Sequence, residues 1–320
     1  GIGEYRISEN VGSLSNLPLD TGVPQSGQIK FSDFYSKKLN HVVDLHSIGN
    51  NTSRQNAKDR WNNGNVHIVG STKTGKTQPP DTIDDRVIIN VNATISSVKG
   101  TQTHCALRTG NWDTNTTLEI EIGTSGKLYG SGGDGGSGGS ANETAGTNGQ
   151  TGSSALGIQY PCTVNNLGVI QSGYGGGGGG GGNTRTTGGG KKSGATTNGS
   201  SGGGGGGGAG LPAGAAGGVQ TPLAVGGGTA GSAGAAGSLS NLVSGAGTGG
   251  AGGTEAGNGG NASAVNNSAT KADDGTSPSG AAGGGTGGNN GYAIITNQGS
   301  APSVTGNSAT GRIITSTNPT

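Results

Sequence analysis

Leu118, Ile120 and Ile122 alternate with Glu119 and Glu121, the period-two pattern of a strand with one face in water. Short β-prone runs of this kind recur from about His41 to Leu128: HVVDLHSI, NVHIVG, DRVIINVNATI, CALRTG, TTLEIEIG and KLYG. Spacers rich in turn formers, WNNGN and RTGNWDTN, separate them. The pattern predicts a small antiparallel sheet or sandwich of about six strands. Trp61 and Trp112 read as core or edge anchors, with a carbohydrate platform as the sharper alternative. The first forty residues are irregular: Leu14, Leu17, Leu19 and Val23 are separated by Ser, Asn and Pro. They end in SGQIKFSDFY, where Ser32 and Asp33 are placed to start a short helical turn.

Beyond Tyr129 the alternation gives way to glycine. The chain has 320 residues, 76 of them glycine, and only 3% are aromatic, so a conventional core cannot run its whole length. Of 35 Asp, Glu, Lys and Arg residues, 25 precede Tyr129 and ten are spread over the 191 residues after it. Composition therefore divides the chain into an irregular segment (1–40), a β-domain (41–129) and a glycine-rich part (130–320).

That last part is not random. Gly132 to Ser140 forms three Gly-Gly-x triplets, Gly175 to Gly182 is eight glycines in a row, and Gly202 to Gly208 is seven. Between such runs sit segments of other composition: 183–201, 211–225, 238–243 and 261–279. A free glycine coil has the most backbone entropy to lose and nothing to bury, which favours disorder. Against this stands the polyproline II conformation, with three residues per turn and amides that point outward. Several such helices can bond to one another if almost no side chain intervenes. Octaglycine suits the middle of that bundle, and Gly-Gly-x triplets suit its edge. A linker needs no such alternation, so the expected fold is all-β plus a packed bundle of polyglycine II helices with short flanking strands. LGIQYPCTVNNLGVIQ, Leu156 to Gln171, reads as a hairpin turning near Asn165-Asn166. The runs YAIIT (Tyr292 to Thr296) and RIIT (Arg312 to Thr315) echo one another and supply apolar edges that could seal a core glycine cannot fill.

The remaining chemistry narrows the function. A net charge of +1 gives no electrostatic case for nucleic acid or an anionic membrane, and no apolar run is long enough to span a bilayer. Without a signal peptide ahead of Gly1, exit from a cell is expected by another route, such as a particle released on lysis. Gly70 to Thr77, GSTKTGKT, match a phosphate-cradling loop. Pro79 and Pro80 follow where its helix should run, and the candidates for a magnesium-holding strand end are weak: Val42-Val43-Asp44 is short and lies upstream, and RVIINV carries no carboxylate at its end. Lys73 and Lys76 read as exposed loop charges, and ATP affinity is expected to be millimolar or absent. Cys105 and Cys162 are expected as free thiols rather than a bridge. His104 beside Cys105 lacks a second ligand pair, and His41, His46 and His67 read as surface or strand residues. Neither an enzyme activity nor a cofactor or metal is expected.

SGQIKFSDFY resembles a segment common in tail-fibre and tail-tip proteins of tailed bacteriophages, and NNLGVIQSGYGGGGGGGG is similar to a pattern in their glycine-rich ends. The glycine-rich half resembles in architecture the fibre-tip adhesins of T-even-like phages, although the Trp-rich opening of those proteins is absent. TQTHCALRTGNWDTNTTLEIEIGTSGKLYGSGGDGGSGG is also similar to glycine-rich virion proteins of phages of marine cyanobacteria. The resemblance implies a bundle of polyglycine II helices whose inter-run loops bind a bacterial outer-surface receptor, protein or polysaccharide. It also implies fibre or baseplate subunits as partners, through the N-terminal segment and β-domain, and a place in the virion. Arg185, Lys191 and Lys192 form the one basic cluster of this half, suited to phosphates or acidic sugars. Leu211, Pro212, Pro222 and Leu223 form apolar corners suited to a membrane protein. For each, a solvated turn or a bundle cap is the plainer alternative. For the whole protein the alternative is a structural virion component without receptor contact. Ice binding would need regular Thr or Ala ladders that are not present.

Overall fold

The structure, a computed structural model, describes residues 40–44, 52–53, 55–62, 67–68, 86–112, 114, 116–141, 144–187, 196–219, 247–252, 256–262, 270–275 and 282–320. It is strand-rich, with one short helix among the described residues. The strands are β1 Asn40–Asp44, β2 Thr52–Ser53, β3 Gln55–Asn56, β4 His67–Ile68, β5 Arg86–Val91, β6 Thr94–Ser96, β7 Cys105–Arg108, β8 Thr117–Ile122, β9 Lys127–Tyr129, β10 Ser154–Ile158, β11 Cys162–Asn166, β12 Val169–Gln171, β13 Asn183–Thr187, β14 Thr196–Ser200, β15 Tyr292–Thr296, β16 Ser303–Gly306 and β17 Arg312–Ile314. Helix α1 is Ala57–Asn62, opened by Asn56, whose Oδ1 accepts from the Lys58 and Asp59 amides.

Three of the sheets run β16-β11-β8-β5-β1-β4, β12-β9-β6-β2 and β17-β15-β10-β7-β3. Successive strands thus belong to successive sheets, and each pairs with the strand one circuit earlier. The circuits are β1-β2-β3, β5-β6-β7, β8-β9-β10, β11-β12-β15 and β16-Thr310-β17, the last touching Gln171 through a single bridge. This is a parallel β-solenoid of triangular section. It corrects the expected antiparallel sheet: of the described pairings only β1 with β4 and β13 with β14 are antiparallel. The supposed hairpin from Leu156 to Gln171 is likewise three strands, β10, β11 and β12, in three different sheets. The physical reason lies at the corners. A Cβ on Gly168 would stand 2.1 Å from the Gly126 carbonyl oxygen, and one on Gly126 would stand 2.1 Å from that of Val91. The glycines let one circuit's corner lie directly on the next, so a short turn changes sheet instead of reversing within one.

Inside, each sheet contributes an aliphatic stack along the axis. Ile89, Ile120, Val164 and Val304 face one another across β5, β8, β11 and β16. Ile95, Leu128 and Ile170 do so in the second sheet, and Leu107, Leu156 and Ile294 in the third. These residues form the core cluster or pack against it, each fully buried one contributing about 1.5–3 kcal/mol. Trp112 belongs to that cluster, donating from Nε1 to the Thr109 carbonyl at 2.9 Å with Lys58 over its ring. It is therefore an anchor and not a sugar platform; for Trp61 the structure gives only a place in α1. The echoing runs YAIIT and RIIT supply neighbouring parallel strands, β15 and β17. β15 is buried in the solenoid core, whereas β17 forms its outer edge, with Ile313 exposed. Residues 315–320 then cross back over the third sheet: Thr317 donates to Thr296, Thr320 donates to Thr103, and Cys105 donates to Thr320.

The change of composition at Tyr129 falls where β9 ends, yet strands from both sides of it share all three sheets. Glycine-rich segments leave the solenoid after β9 and after β12 and re-enter at β10 and β15. In the circuit before, the same corner is the short loop 97–104.

Candidate functional site

Nine segments, most of them glycine-rich, leave or flank that corner among the described residues: 130–140, 144–153, 172–182, 201–210, 212–219, 247–252, 256–262, 270–275 and 282–291. They carry no strand assignment and bond to each other at every third residue. Gly133, Gly136 and Gly139 donate to Tyr174, Gly177 and Gly180; Gly173, Gly176 and Gly179 donate to Ser153, Gln150 and Thr147. Taking all such bonds, 172–182 touches 130–140, 144–153, 201–210, 256–262, 270–275 and 282–291. Those six close a ring around it, each bonded to the next. Segments 212–219 and 247–252 lie outside the ring against 201–210.

Position in this lattice explains composition. Each of the three residue positions of 175–182 faces a pair of neighbours, so all must lack a side chain; Cβ atoms on Gly177, Gly178 and Gly179 would stand 1.9–2.0 Å from carbonyl oxygens of three different segments. At the edge, amides without a glycine carbonyl opposite them are satisfied by side chains. Thr147 Oγ1 and Thr144 Oγ1 accept from Ser137 and Ser140, and Ser153 Oγ accepts from Ser131. Asn148, Asn258, Asn261, Asp274 and Asp134 accept from Thr286, Gly252, Gly249, Gly284 and Ala215. These side chains thus complete the hydrogen bonding along the bundle's edge. Sequence reading missed this role, although Thr144, Thr147, Gln150 and Ser153 stand three apart.

The bundle has two unlike ends. At the base, the loop after β6 braces it on two sides: Lys99 pairs with Asp134, and Gln102 donates to the Asn290 carbonyl. Tyr174, the large residue enclosed at this level, sits beside Gln171, and burial raises its pKa. At the opposite end, level with Gly182, lie the segment ends Ala141 and Thr144, Gly252 and Ala256, and Gly275 and Ala282, whose amide donates to Gly182. The antiparallel ribbon β13–β14 continues from Gly182 there, with Gly199 against Ala141.

Of the candidate contact residues, Arg185 and the pair Leu211-Pro212 lie at opposite ends of the bundle. Arg185 lies in the end ribbon, in register with Asn198. Leu211 and Pro212 lie at the base, bonded to Gly130 and Gly132; Leu211 is half-buried and Pro212 exposed. Lys191, Lys192, Pro222, Leu223, the loop GSTKTGKT and the segment SGQIKFSDFY fall outside the described residues. Among the described residues no group of three or more His, Cys, Asp or Glu side chains could hold a metal ion, and no helix is long and apolar enough to cross a membrane.

Both cysteines are free thiols. Cys162 lines a recess of about 200 Å3 with Ile158, Pro161, Thr296, Gln298 and Pro302, and burial pushes its pKa from 9.0 up to about 12. The folded thiol thus stays protonated where the unfolded one ionises. Its contribution to stability is complete below pH 9.0 and is lost as pH rises towards about 12. At pH 8 Cys162 is expected to alkylate far more slowly in the native protein than in denaturant, read by mass spectrometry; equal rates would contradict the burial.

The architecture is that of a parallel β-solenoid bearing a hexagonally arranged glycine-rich bundle. No known protein family and no curated protein matches the sequence. Among solved structures, the fold is similar to the gp37-gp38 adhesin tip complex of the bacteriophage S16 long tail fibre, with a TM-score of 0.40 and 18% identity over 98% of this chain and 95% of that one.

Proposed function

We propose that the protein is a tip or tail component of a phage fibre, and that it attaches to the host surface through the sequences that join the runs at the free end of a rigid polyglycine II bundle. The observation that carries this reading is the enclosure of 172–182 by six segments bonded at every third residue. Three residues per turn is the polyproline II repeat, and about 3.1 Å per residue gives a rod of roughly 30 Å. Such a rod has almost no side-chain volume and a fixed direction from the solenoid. It gathers the ends of several segments at one level, joined by sequences of unlike composition, and rigid frames with replaceable connections are a common way to build recognition. The end ribbon with Arg185, flanked in sequence by Lys191 and Lys192, is the first choice for contact with anionic surface groups. Leu211 and Pro212, bonded at the base, are assigned to bracing. Pro222 and Leu223 remain candidate contacts on sequence grounds. Other fibre or baseplate subunits would hold the N-terminal segment and the solenoid, placing the protein in the virion. No catalytic step is required.

The test is adsorption of the purified protein to the bacteria its phage infects, with residues 183–200 replaced by a short Gly-Ser turn. Loss of binding at unchanged thermal stability is expected. Binding that survives replacement of each free-end connecting sequence in succession would sink the recognition role and favour a purely structural component.

A further inference from the structure

Asn-Gly is the dipeptide most prone to spontaneous deamidation, because the following amide nitrogen meets no side chain as it attacks the Asn carboxamide carbon. A new bond from that nitrogen to Cγ closes a succinimide, the Cγ–Nδ2 bond breaks and ammonia leaves. Water then opens the ring to Asp or iso-Asp. Three such steps lie inside the bundle, at Asn148-Gly149, Asn258-Gly259 and Asn290-Gly291.

Each is held at both reacting groups. Asn148 Oδ1 accepts from Thr286, Asn258 Oδ1 from Gly252 and Asn290 Oδ1 from Gly175, at 2.8–2.9 Å. The nucleophiles are also engaged: Gly149 donates to the Thr286 carbonyl, Gly259 to that of Gly250 and Gly291 to that of Gly173, at 2.8–2.9 Å. Asn258 is held a third time, donating from Nδ2 to Asp273 at 3.0 Å. Attack requires the carboxamide carbon to swing onto the next nitrogen, which breaks both bonds at once. Exposure does not decide the outcome: Asn148 and Asn258 are exposed and Asn290 is buried, but all three are locked.

We propose that Asn148, Asn258 and Asn290 are latent deamidation sites that the folded bundle keeps closed, so that modification at them records bundle opening. Reaction there is also self-propagating. Conversion of Asn258 to Asp sets a second carboxylate against Asp273, and iso-Asp adds a backbone atom that breaks the three-residue repeat.

The full-length protein is incubated at pH 8 and 37 °C with and without guanidinium, and amide-to-acid conversion is followed by peptide mapping. In the folded state each of the three sites is expected to react at least about tenfold more slowly than in denaturant, the factor expected if reaction passes through local opening. Native rates within twofold of the denatured ones, with glycine amides still protected from hydrogen exchange, overturn the proposal. Thr286→Pro removes the donor to Asn148 while suiting the φ of an extended rod. Faster conversion at Asn148, with Asn258 and Asn290 unchanged, is the expected result. An unchanged Asn148 rate overturns the assignment of that bond.

Discussion

Gly178→Ala is expected to destabilise the protein by about 3 kcal/mol or more, while Gly283→Ala is expected to be neutral or to stabilise by about 0.5 kcal/mol. The added atom is the same and the two glycines are near neighbours in the lattice, so the contrast isolates position. A Cβ on Gly178 would stand 2.0 Å from the carbonyl oxygen of Gly285 and 2.5 Å from its carbon. Backbone lacks the freedom with which the tip of a flexible residue steps aside. Segment 282–291 would have to move outward, stretching the bonds from Gly285 to Gly179 and from Gly288 to Gly176. Every direction of escape from 172–182 is closed by another segment. Gly283 faces outward, its nearest neighbour for a Cβ being Asp274 Oδ1 at 3.6 Å. Alanine there costs no contact and removes unfolded-state freedom. Denaturant titration of both variants decides the matter, and a Gly178→Ala midpoint equal to wild type would mean that 172–182 is not enclosed.

The same logic shows what was legible in the sequence. Octaglycine marks its own place, since a segment with neighbours on every side has no position for a side chain. The Gly-Gly-x triplets are an edge pattern, with Asp134 and Ser137 set beside neighbouring segments. Strand runs are legible because each circuit keeps one apolar face, as in Leu118, Ile120 and Ile122. Pairing is not, because no residue of LGIQYPCTVNNLGVIQ states whether its turns reverse within a sheet or pass to the next. That depends on a partner one circuit away, such as the Gly126 carbonyl under Gly168. The place of Leu211 and Pro212 was not legible for a related reason. An apolar corner after a glycine run marks a bundle end without saying which, and here it marks the base. The amide-capping Asn and Thr residues left a readable trace in their spacing of three, masked by a composition in which both are common.

Ile120→Ala is the second large effect, at about 3–4 kcal/mol, and it tests how the two parts of the molecule depend on each other. Ile120 is fully buried between Ile89 and Val164 in the first sheet, so truncation leaves a cavity in the middle of a stack that flanking circuits cannot fill. Ile120→Val, at about 1 kcal/mol, serves as the graded control. The enclosed segment 172–182 continues directly from β12, and its neighbour 130–140 continues from β9, so the lattice inherits its starting register from the second sheet. Loosening the solenoid should then release the glycine bonds as well. With Trp61 replaced by Phe, Trp112 fluorescence reports the solenoid core, and hydrogen exchange at Gly176 and Gly179 reports the bundle. In Ile120→Ala both are expected to fall together. A shifted Trp112 transition with unchanged glycine protection would show instead that the bundle holds without its base, and that the bracing by Lys99 and Gln102 adds nothing to its stability.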